Sequence, residues 1–437
     1  MTLPIATQTV RDVLEHMHIA SAGTATIRQT MALCDTLEQH TGQHFVHLEM
    51  GSPGLPACSI GIEAQKSALD RGVAQAYPNV AGIQPLKQQA SRFVKAFLHI
   101  DINPEGCVPT TGSMMGTFAS FLLCTHLHPG QDTILFLNPG FSVQPLQVAL
   151  MGYRREAFDI YHYRGAQLHQ QLDELLSTGR IAAIVYSNPN NPSWVCLTEE
   201  ELRTIGHLAT RYDTVVIEDL AYLGMDFRKD LGHPFEPPYQ ATVARYTPNY
   251  LLMISASKIF SYAGERVAVV AISDALFHRS YKRLEEELGM DTLGNAFIYM
   301  VVYCLSSGVA HSAQYALAAM FQAACDGRLD FVAQTRTYAQ RAARLKEIFL
   351  RHGFHIVYDK DLEENVGDGF FFTIGRKGFT GDDLVGELIR YGIATISLRT
   401  AGSTQEGVRV CTSSVEEDDY LVLDERLKLF NELHTNH

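Results

Sequence analysis

The chain has 437 residues, 46% of them apolar and 19% charged, so it can bury a large core and is not expected to be disordered. At roughly 150 residues per domain, this length predicts two or three domains. Lysine and arginine number 35 against 48 acidic residues, and the resulting net charge of −13 argues against a nucleic-acid binder. A small anionic ligand is still compatible with this charge, because a local site can be positive on a negative protein.

Neither a membrane span nor a disulfide framework is predicted. The best apolar run, Ala296 to Leu305, has about half of the roughly 18 residues that a membrane helix needs, and we interpret it as core. The N-terminus has no basic region followed by an apolar block, so we expect no signal peptide. The eight cysteines are scattered without a Cys-x-x-Cys pair, which favours a cytoplasmic protein with reduced thiols and no metal site.

Predicted helices and strands alternate through the first two thirds of the chain. Residues 83–98 have apolar side chains at helical spacing, and 114–127 form a second helical stretch. A third helix is predicted over 198–212, with Thr198 as its N-cap and Glu201 as the capping-box partner. Short apolar runs typical of strands buried on both faces lie at 133–137, 181–186, 214–218, 250–254 and 266–271. This alternation predicts an α/β domain whose doubly wound, mainly parallel sheet is flanked by helices.

The end of the chain has a different pattern, typical of an α+β module. Its predicted elements are a helical stretch over 310–351, strands at 369–374, 393–398 and 407–411, and a helix at 380–391. Residues 1–50 are too few for a domain of their own, and we expect them to pack on this module. The sequence therefore predicts a large domain over 51–309 and a small α+β domain made of 1–50 and 310–437.

Three common nucleotide and hydrolase motifs are absent from the sequence. There is no Gly-x-Gly-x-x-Gly, no phosphate-binding Gly-x-x-x-x-Gly-Lys-[Ser/Thr], and no Gly-x-Ser-x-Gly nucleophile elbow. Polar clusters instead follow the ends of predicted strands, which is where open α/β sheets bind ligands.

Two of these clusters are rich in small and amide side chains. In Thr110–Gly116, Gly112 permits close backbone approach, and Ser113 with the free N–H groups of a helix start can bind a phosphate. The alternative is a simple helix cap. Ser187–Pro192 follows the second apolar run, and its Asn and Pro residues are equally typical of a plain turn.

The other two clusters carry charge at the mouths of buried strands. One contains Asp219 and ends at Tyr222. Burying the Asp219 carboxylate is unfavourable in free energy unless a cationic partner is near, although the residue could simply cap a helix. Lys258 ends the string Ser255-Ala-Ser-Lys258, and Arg266 follows eight residues later. A lysine directly after a buried strand is less easily explained as an ordinary exposed side chain than a lysine on the outer face of a helix.

Together, these clusters resemble a known family. The lysine string with Arg266 is similar to the signature of pyridoxal-phosphate enzymes of the aspartate aminotransferase fold, also called fold type I. The order of Asn191-Pro192, Asp219, Tyr222, Lys258 and Arg266 resembles class I and II aminotransferases. The similarity spans nearly the whole chain, from about residue 27 to 409.

The resemblance implies a role for each residue around the cofactor ring. Lys258 would hold the aldehyde of pyridoxal 5'-phosphate as an imine and then act as the base for the substrate α-proton. Asp219 would keep the pyridine nitrogen protonated, so that the ring accepts electrons. Asn191 and Tyr222 would donate hydrogen bonds to the phenolic oxygen, and Phe141 would stack on the ring.

The resemblance also implies a phosphate site, a substrate clamp and a homodimer. Arg409 would bind the substrate α-carboxylate with its planar fork, beside Gly51 and Asn191; the alternative is a surface strand arginine. Tyr77 matches a tyrosine that reaches the phosphate of the neighbouring subunit, so two shared sites per homodimer are implied. The phosphate itself would be held by Gly112, Ser113, Met114, Ser255, Ser257 and Arg266.

The sequence departs from the family pattern at three places. Asn191-Pro192 is followed by Ser193-Trp194 instead of a residue pair ending in glycine, and Trp194 either lines the site or packs in the core. The stretch 397–402 lacks the common Pro-Gly form, and its Arg399 is either a second anion contact or a solvated side chain. No arginine lies in 290–296, where some aspartate-specific members place a clamp for the second carboxylate.

The leading interpretation is an enzyme that moves an amino group from an L-amino acid to a 2-oxo acid. The absence of the second clamp weakens a dicarboxylate-only substrate range and leaves aromatic, aliphatic and sulfur amino acids open. A carbon–sulfur β-lyase, or another enzyme that works through an α-carbanion, shares the same early steps. A non-catalytic binding protein that kept the fold is the third alternative.

Overall fold

The computed structural model of the protein describes residues 3–434. Its strands are β1 Val46–His47, β2 Cys107–Thr110, β3 Thr133–Asn138, β4 Arg154–Asp159, β5 Ile181–Ser187, β6 Val215–Asp219, β7 Tyr250–Ser255, β8 Ala268–Ile272, β9 His355–Ile356, β10 Lys360–Asp361, β11 Glu364–Asn365, β12 Phe371–Gly375, β13 Ile393–Ala394, β14 Ile396–Ser397 and β15 Val408–Cys411.

Helices precede and follow most of these strands. They are α1 Thr7–His16, α2 Ile27–Thr41, α3 Ser59–Asp70, α4 Gln84–Leu98, α5 Gly112–Cys124, α6 Val143–Leu150, α7 Ala166–Leu176, α8 Glu199–Arg211, α9 Ala256–Ile259, α10 Asp274–His278, α11 Lys282–Leu288, α12 Leu293–Asn295, α13 Tyr303–Ser306, α14 His311–Cys325, α15 Phe331–Thr335, α16 Thr337–Arg351, α17 Gly381–Arg390 and α18 Glu417–Leu433. A π-helical segment, Ala296–Val302, joins α12 to α13.

A seven-stranded sheet forms the centre of the molecule, in the order β2-β8-β7-β6-β5-β3-β4. Only β8 runs antiparallel to its neighbours; the other pairings are parallel. The predicted mainly parallel α/β sheet is therefore confirmed, with its five predicted strands. The two edge strands were not predicted, because β2 contains a proline and β4 begins with exposed arginines, so neither is a continuous apolar run.

The sheet is buried on both faces, which explains the uninterrupted apolar runs of its central strands. Along β3, Leu135 and Leu137 belong to one apolar cluster together with side chains of α4, α8 and α14. Ile134 and Phe136, which point to the opposite face, belong to a second cluster with α5 and the segment 293–302. Helices thus cover both faces, as a doubly wound fold requires.

The predicted helix over 198–212 is confirmed as α8, including its cap. The Glu201 N–H donates to Thr198 Oγ1 at 3.2 Å, and the Thr198 N–H donates to Glu201 Oε2 at 3.0 Å. The prediction of one helical stretch over 310–351 is wrong in detail, since α14, α15 and α16 divide it. Gly327, in the left-handed region with φ +70°, ends the first segment, and Asp330 caps the second.

A second sheet lies in the C-terminal part, with the antiparallel order β14-β15-β12-β9. The predicted strand over 393–398 is two short strands, because β13 leaves this sheet to pair in parallel with β1. A third apolar cluster joins side chains of 5–48 with those of α16, α17 and α18. We keep the division into 51–309 and 1–50 plus 310–437 as a proposal, and we note that α14 packs on α3 and α4 of the larger unit.

The segment 296–305 has two different faces. Ala296, Phe297 and Val302 are buried, but Tyr299, Tyr303 and Leu305 are exposed, so the interpretation of the whole run as core is wrong for these side chains. None of the helices in residues 3–434 has the combination of length and apolar character that crossing a membrane requires.

Candidate active site

The sheet register brings the polar clusters to one edge. Ser187 is paired with Asp219 across β5 and β6, while Ser255 and Thr110 are each paired with Ala268 of β8. Since these residues end their strands or begin the neighbouring one, the segments that follow them meet at the same side of the sheet. The polar clusters predicted at the ends of separate strands therefore lie together at one edge of the sheet, where open α/β sheets bind ligands.

An anion cradle lies where α5 begins. Gly112 has φ +68°, and a Cβ atom at this position would come within 2.6 Å of Arg266 Nη2. Ser113 Oγ is buried without a hydrogen-bond partner in the described residues. Arg266 donates to the Ala263 carbonyl at 2.8 Å and forms no ion pair with residues 3–434. An unpaired guanidinium, an unsatisfied hydroxyl and a helix start suit a phosphate group.

Two helix starts are held in place around this cradle. Ser255 caps α9, since its Oγ accepts from the Ser257 N–H at 3.1 Å. The Met114 carbonyl, in the first turn of α5, accepts from Gln147 Nε2 at 2.7 Å, and Thr117 Oγ1 donates to Gln147 Oε1 at 2.8 Å. Gln147 was not predicted as a site residue; it fixes the helix that carries the cradle.

Asp219 is a buried carboxylate that forms no ion pair within the described part of the chain. It is 7% exposed, its Oδ2 accepts from Gln144 Nε2 at 3.0 Å, and its Oδ1 accepts from the Ala221 N–H at 3.2 Å. Burial raises the pKa of Asp219 to about 6, and these two hydrogen bonds lower it only in part. A buried carboxylate of this kind is stabilised by a cationic partner, which a protonated ring nitrogen provides.

Lys258 lies on the other side of the cleft, among apolar and cationic groups. Its Nζ donates to the Gly51 carbonyl and lies 5.4 Å from the centre of the Phe370 ring. Desolvation lowers the pKa of Lys258 to about 8, and the charges of Arg409 and Arg266 act in the same direction. Its amine therefore loses a proton far more easily than that of a free lysine.

Arg409 is buried beside this lysine. Its Nη2 donates to the Glu49 carbonyl, its Nη1 donates to Asn191 Oδ1 at 3.3 Å, and its Nε has no partner in the described residues. The guanidinium lies 4.7 Å from the centre of the Phe371 ring, and burial lowers its pKa. A buried guanidinium that forms no ion pair is chemically suited to bind a carboxylate.

The Asn191 side chain connects this arginine to Tyr222. Asn191 Nδ2 donates to Tyr222 Oη at 3.4 Å, and burial raises the pKa of the Tyr222 hydroxyl. Trp194 is 1% exposed, and its ring centre lies 5.4 Å from Tyr222 and 6.3 Å from Phe371. The unusual tryptophan therefore packs behind the two aromatic side chains of the cleft.

Phe141 follows a turn that is bound to the C-terminal part. The Gly140 N–H donates to the Ala401 carbonyl at 2.9 Å, and Asn138 Nδ2 donates to the Gly402 carbonyl at 3.2 Å. The loop 397–402 thus holds the segment that carries Phe141, whose ring is only partly buried.

Two predicted positions lie outside this group of contacts. Tyr77 is 88% exposed, and its hydroxyl makes no hydrogen bond to residues 3–434. Arg399 is largely exposed and forms an ion pair with Asp382, which agrees with the solvated alternative.

Sequence reasoning missed several residues that the structure brings to the cleft. Gln144 and Gln147 lie three positions apart on α6, which places them on one helix face. Two amide side chains on a short apolar helix, directly after the Asn-Pro-Gly-Phe turn, could have identified these glutamines as site residues from the sequence. Glu49, Phe370 and Phe371 carried no local signal, because their roles depend on contacts with residues far away in the chain.

The sequence model of the family "Aminotransferase class I and II" matches residues 45–427, and the chain belongs to this family. A probable aspartate aminotransferase of Methanocaldococcus jannaschii is 23% identical over 231 residues, 53% of this chain and 58% of that protein. The matched region thus spans little more than half of that relative. A glutamate-pyruvate aminotransferase of Escherichia coli is 26% identical over 184 residues, 41% of this chain and 43% of that protein.

Solved structures agree with this assignment at the level of the fold. The aspartate aminotransferase of Thermus thermophilus with maleate has a TM-score of 0.74 at 19% identity, covering 94% of this chain and 96% of that one. The predicted fold type I is thereby confirmed.

The family depends on pyridoxal 5'-phosphate, and the residues present fit this cofactor. Within the described residues, the buried Ser113 hydroxyl has no partner and Arg266 forms no ion pair but comes close to the Cβ-free backbone of Gly112, which suits the phosphate. Asp219 and Lys258 suit the ring nitrogen and the aldehyde.

Proposed function

We propose that this protein is a pyridoxal-phosphate-dependent aminotransferase that moves an amino group from an L-amino acid to a 2-oxo acid. One observation carries the proposal: a lysine of lowered pKa lies beside a buried arginine that forms no ion pair within residues 3–434. Lys258 lies over Phe370 and Arg409 over Phe371, and the centres of these two rings are 5.0 Å apart. An amine and a carboxylate clamp over two neighbouring rings suit an α-amino acid.

When bound, the cofactor supplies an aldehyde that links to amines and a ring that accepts electrons. Lys258 contributes the amine that this aldehyde takes up, and its pKa of about 8 keeps part of it unprotonated near neutral pH. The same Nζ, once free, is the base that removes the proton from the substrate α-carbon and later returns a proton.

Asp219 holds a proton on the ring nitrogen, since it is buried and has only neutral donors around it. Because Asn191 donates to Tyr222 Oη, the hydroxyl proton of Tyr222 is left to donate to the phenolic oxygen. Arg409 binds the substrate α-carboxylate and so determines which face of the α-carbon meets Lys258.

The proposal is tested on purified holoenzyme with single L-amino acids and a 2-oxo acid acceptor. The visible absorption of the cofactor is followed, and new 2-oxo acid, ammonia and thiol are assayed. An aminotransferase forms the 2-oxo acid of each substrate without ammonia. Ammonia and thiol from sulfur amino acids would support the β-lyase alternative instead, and binding without turnover would support the non-catalytic one. Lys360→Ala, an exposed lysine, is the matched control for Lys258→Ala.

We also propose a homodimer with shared active sites. This rests on the exposed ring of Tyr77, which lacks a partner in the described residues, and on the exposed apolar face formed by Tyr299, Tyr303 and Leu305. A second copy of the chain would cover this face and receive Tyr77 at its phosphate cradle. A cytoplasmic location is proposed from the free cysteines, which suit a reducing compartment.

A further inference from the structure

Glu49 is a buried carboxylate between the clamp and the protein surface. It is 1% exposed, and its main-chain carbonyl accepts from Arg409 Nη2. Its Oε1 accepts from His47 Nδ1 at 2.9 Å, whereas its Oε2 is buried and has no hydrogen-bond partner in the described residues. A buried charge with one unsatisfied oxygen is destabilising unless nearby cations compensate for it.

Two basic side chains lie next to Glu49, Arg409 against its main-chain carbonyl and His47 against its carboxylate. Arg409 lies on its inner side; the charge of Glu49 acts on it and partly offsets the effect of burial on its pKa. His47 lies on its outer side, half-exposed, where only a protonated ring compensates the carboxylate fully. The protonation of His47 therefore determines how much uncompensated negative charge Glu49 presents to Arg409.

The surroundings of His47 favour a proton. The hydrogen bond to Glu49 is the largest cause that raises its pKa, and desolvation opposes it. From α2, Glu38 Oε1 lies 3.9 Å from His47 Nε2, and the charge of Asp35 acts in the same direction. From α18, Asp419 and Arg426 contact His44 instead of His47. The pKa of His47 is thus raised above its ordinary value, mainly by the hydrogen bond to Glu49.

We propose that Glu49 is a positioning residue whose charge competes with the substrate carboxylate for Arg409, and that a proton on His47 relieves this competition. The inference rests on the proposed clamp role of Arg409. Below the pKa of His47, the imidazolium compensates Glu49, and Arg409 binds a carboxylate tightly. Above it, Glu49 is uncompensated, and binding weakens.

The test measures carboxylate binding to the holoenzyme with 3-phenylpropionate, an amine-free probe. Trp194, the only tryptophan, packs against Tyr222 and reports binding by its fluorescence. From about pH 6 to about pH 9, the Kd of the wild type should rise about tenfold more than that of Glu49→Gln. A pH dependence of the Kd that both proteins share comes from Lys258, and it cancels when the two proteins are compared.

Two further variants separate the charge effect from a loss of structure. His47→Gln keeps the buried carboxylate and removes its partner, so it should bind weakly at every pH. The double variant His47→Gln/Glu49→Gln should regain tight binding, which a merely structural defect would not allow. If Glu49→Gln does not fold, His47→Gln tests the proposal alone. Glu38→Gln is the control: it should lower the midpoint of the pH profile and keep its amplitude.

The outcomes distinguish this inference from the proposed function. If Arg409→Ala leaves the Kd unchanged, the clamp is elsewhere, and both the proposed role of Arg409 and this inference fail while aminotransferase activity is still tested by its own assay. If Arg409→Ala abolishes binding while Glu49→Gln and His47→Gln keep the Kd and the pH profile of the wild type, the inference alone is wrong.

Discussion

At the scale of single residues, burial without a counter-charge is the common feature of the site. Asp219, Lys258 and Arg409 are buried and form no ion pair within residues 3–434, although each carries a charge in water. In a folded chain, such groups are destabilising unless a ligand completes them. Asp219 ends β6 and Lys258 follows β7 of the central sheet, and Arg409 lies on β15 of the second sheet. Together they suit a cofactor with a basic nitrogen and a group that accepts amines, and a substrate with a carboxylate.

The pH dependence of cofactor capture tests the state of Lys258. The free amine is the nucleophile, and its pKa is about 8, so the rate at which stripped protein takes up pyridoxal 5'-phosphate should level off above that pH. Below it, the rate should fall about tenfold per pH unit. Absorbance follows the uptake, and borohydride should label the peptide that carries Lys258. A rate that still climbs at about pH 10 would mean an unshifted lysine.

The clamp is tested by Arg409→Ala. Loss of the guanidinium should raise the KM for the amino acid, corresponding to about 2–4 kcal/mol of carboxylate binding, with a smaller effect on kcat. Arg399→Ala is the matched control, because that arginine is paired with Asp382 at the surface. Steady-state kinetics give the KM of both variants for comparison with the wild type. Similar KM values for Arg409→Ala and wild type would contradict the clamp role.

At the scale of elements, the short helix α6 connects both ends of the cofactor site. One of its amides binds Asp219 at 3.0 Å, and the other binds the first turn of α5 at 2.7 Å. Since the two side chains share a helix face, a shift of α6 would move the ring end and the phosphate end together. Helix α6 is therefore expected to set the distance between them.

Pyridoxal 5'-phosphate and pyridoxal, which lacks the phosphate, separate the two roles. Gln147→Leu should weaken binding of the phosphorylated form about tenfold and leave pyridoxal nearly unaffected, because only the cradle is disturbed. Gln144→Leu should weaken both, since it disturbs Asp219. Absorbance titration measures each affinity. Leu150→Gln, at an exposed position of α6, should change neither. Equal losses for both ligands in Gln147→Leu would exclude the cradle role.

At the scale of the whole molecule, the C-terminal part is tied to the central sheet next to the cleft. Asp361 of the β10–β11 hairpin accepts from Arg164 at 2.9 Å and from Arg228 at 2.8 Å. The loop 397–402 holds the turn of Phe141, and β15 brings Arg409 to Asn191. The clamp and the cofactor residues therefore come from parts of the chain that meet only through these tertiary contacts.

The proposed homodimer is tested by light scattering and by complementation. Tyr299→Glu/Tyr303→Glu places charges on the exposed apolar face and should produce monomers with reduced activity. Leu150→Glu, an equally large change at another exposed apolar side chain, should leave the dimer intact. Tyr77→Phe should stay dimeric and bind the phosphorylated cofactor more weakly. A fully active monomer would contradict the shared-site role of Tyr77.

The central strands, α8 with its cap, and the four polar clusters could all be predicted from the sequence. Strands buried on both faces need continuous apolar runs, and a capping box needs two residues at a fixed short spacing. Both can therefore be recognised from residues that are close together in the sequence. The edge strands β2 and β4 could not be predicted, because a proline and exposed arginines are tolerated only where one side of the strand is unpaired.

The family resemblance likewise came from local strings that keep their order along the chain. Only the tertiary structure decided which groups become the partners of the buried charged side chains. The Gln144 amide meets the Asp219 carboxylate across 75 positions, and the Arg409 guanidinium meets the Glu49 main-chain carbonyl across 360. Such pairings depend on how distant segments pack, because the energy of a buried charge is determined by all its neighbours in space and not by its neighbours in sequence.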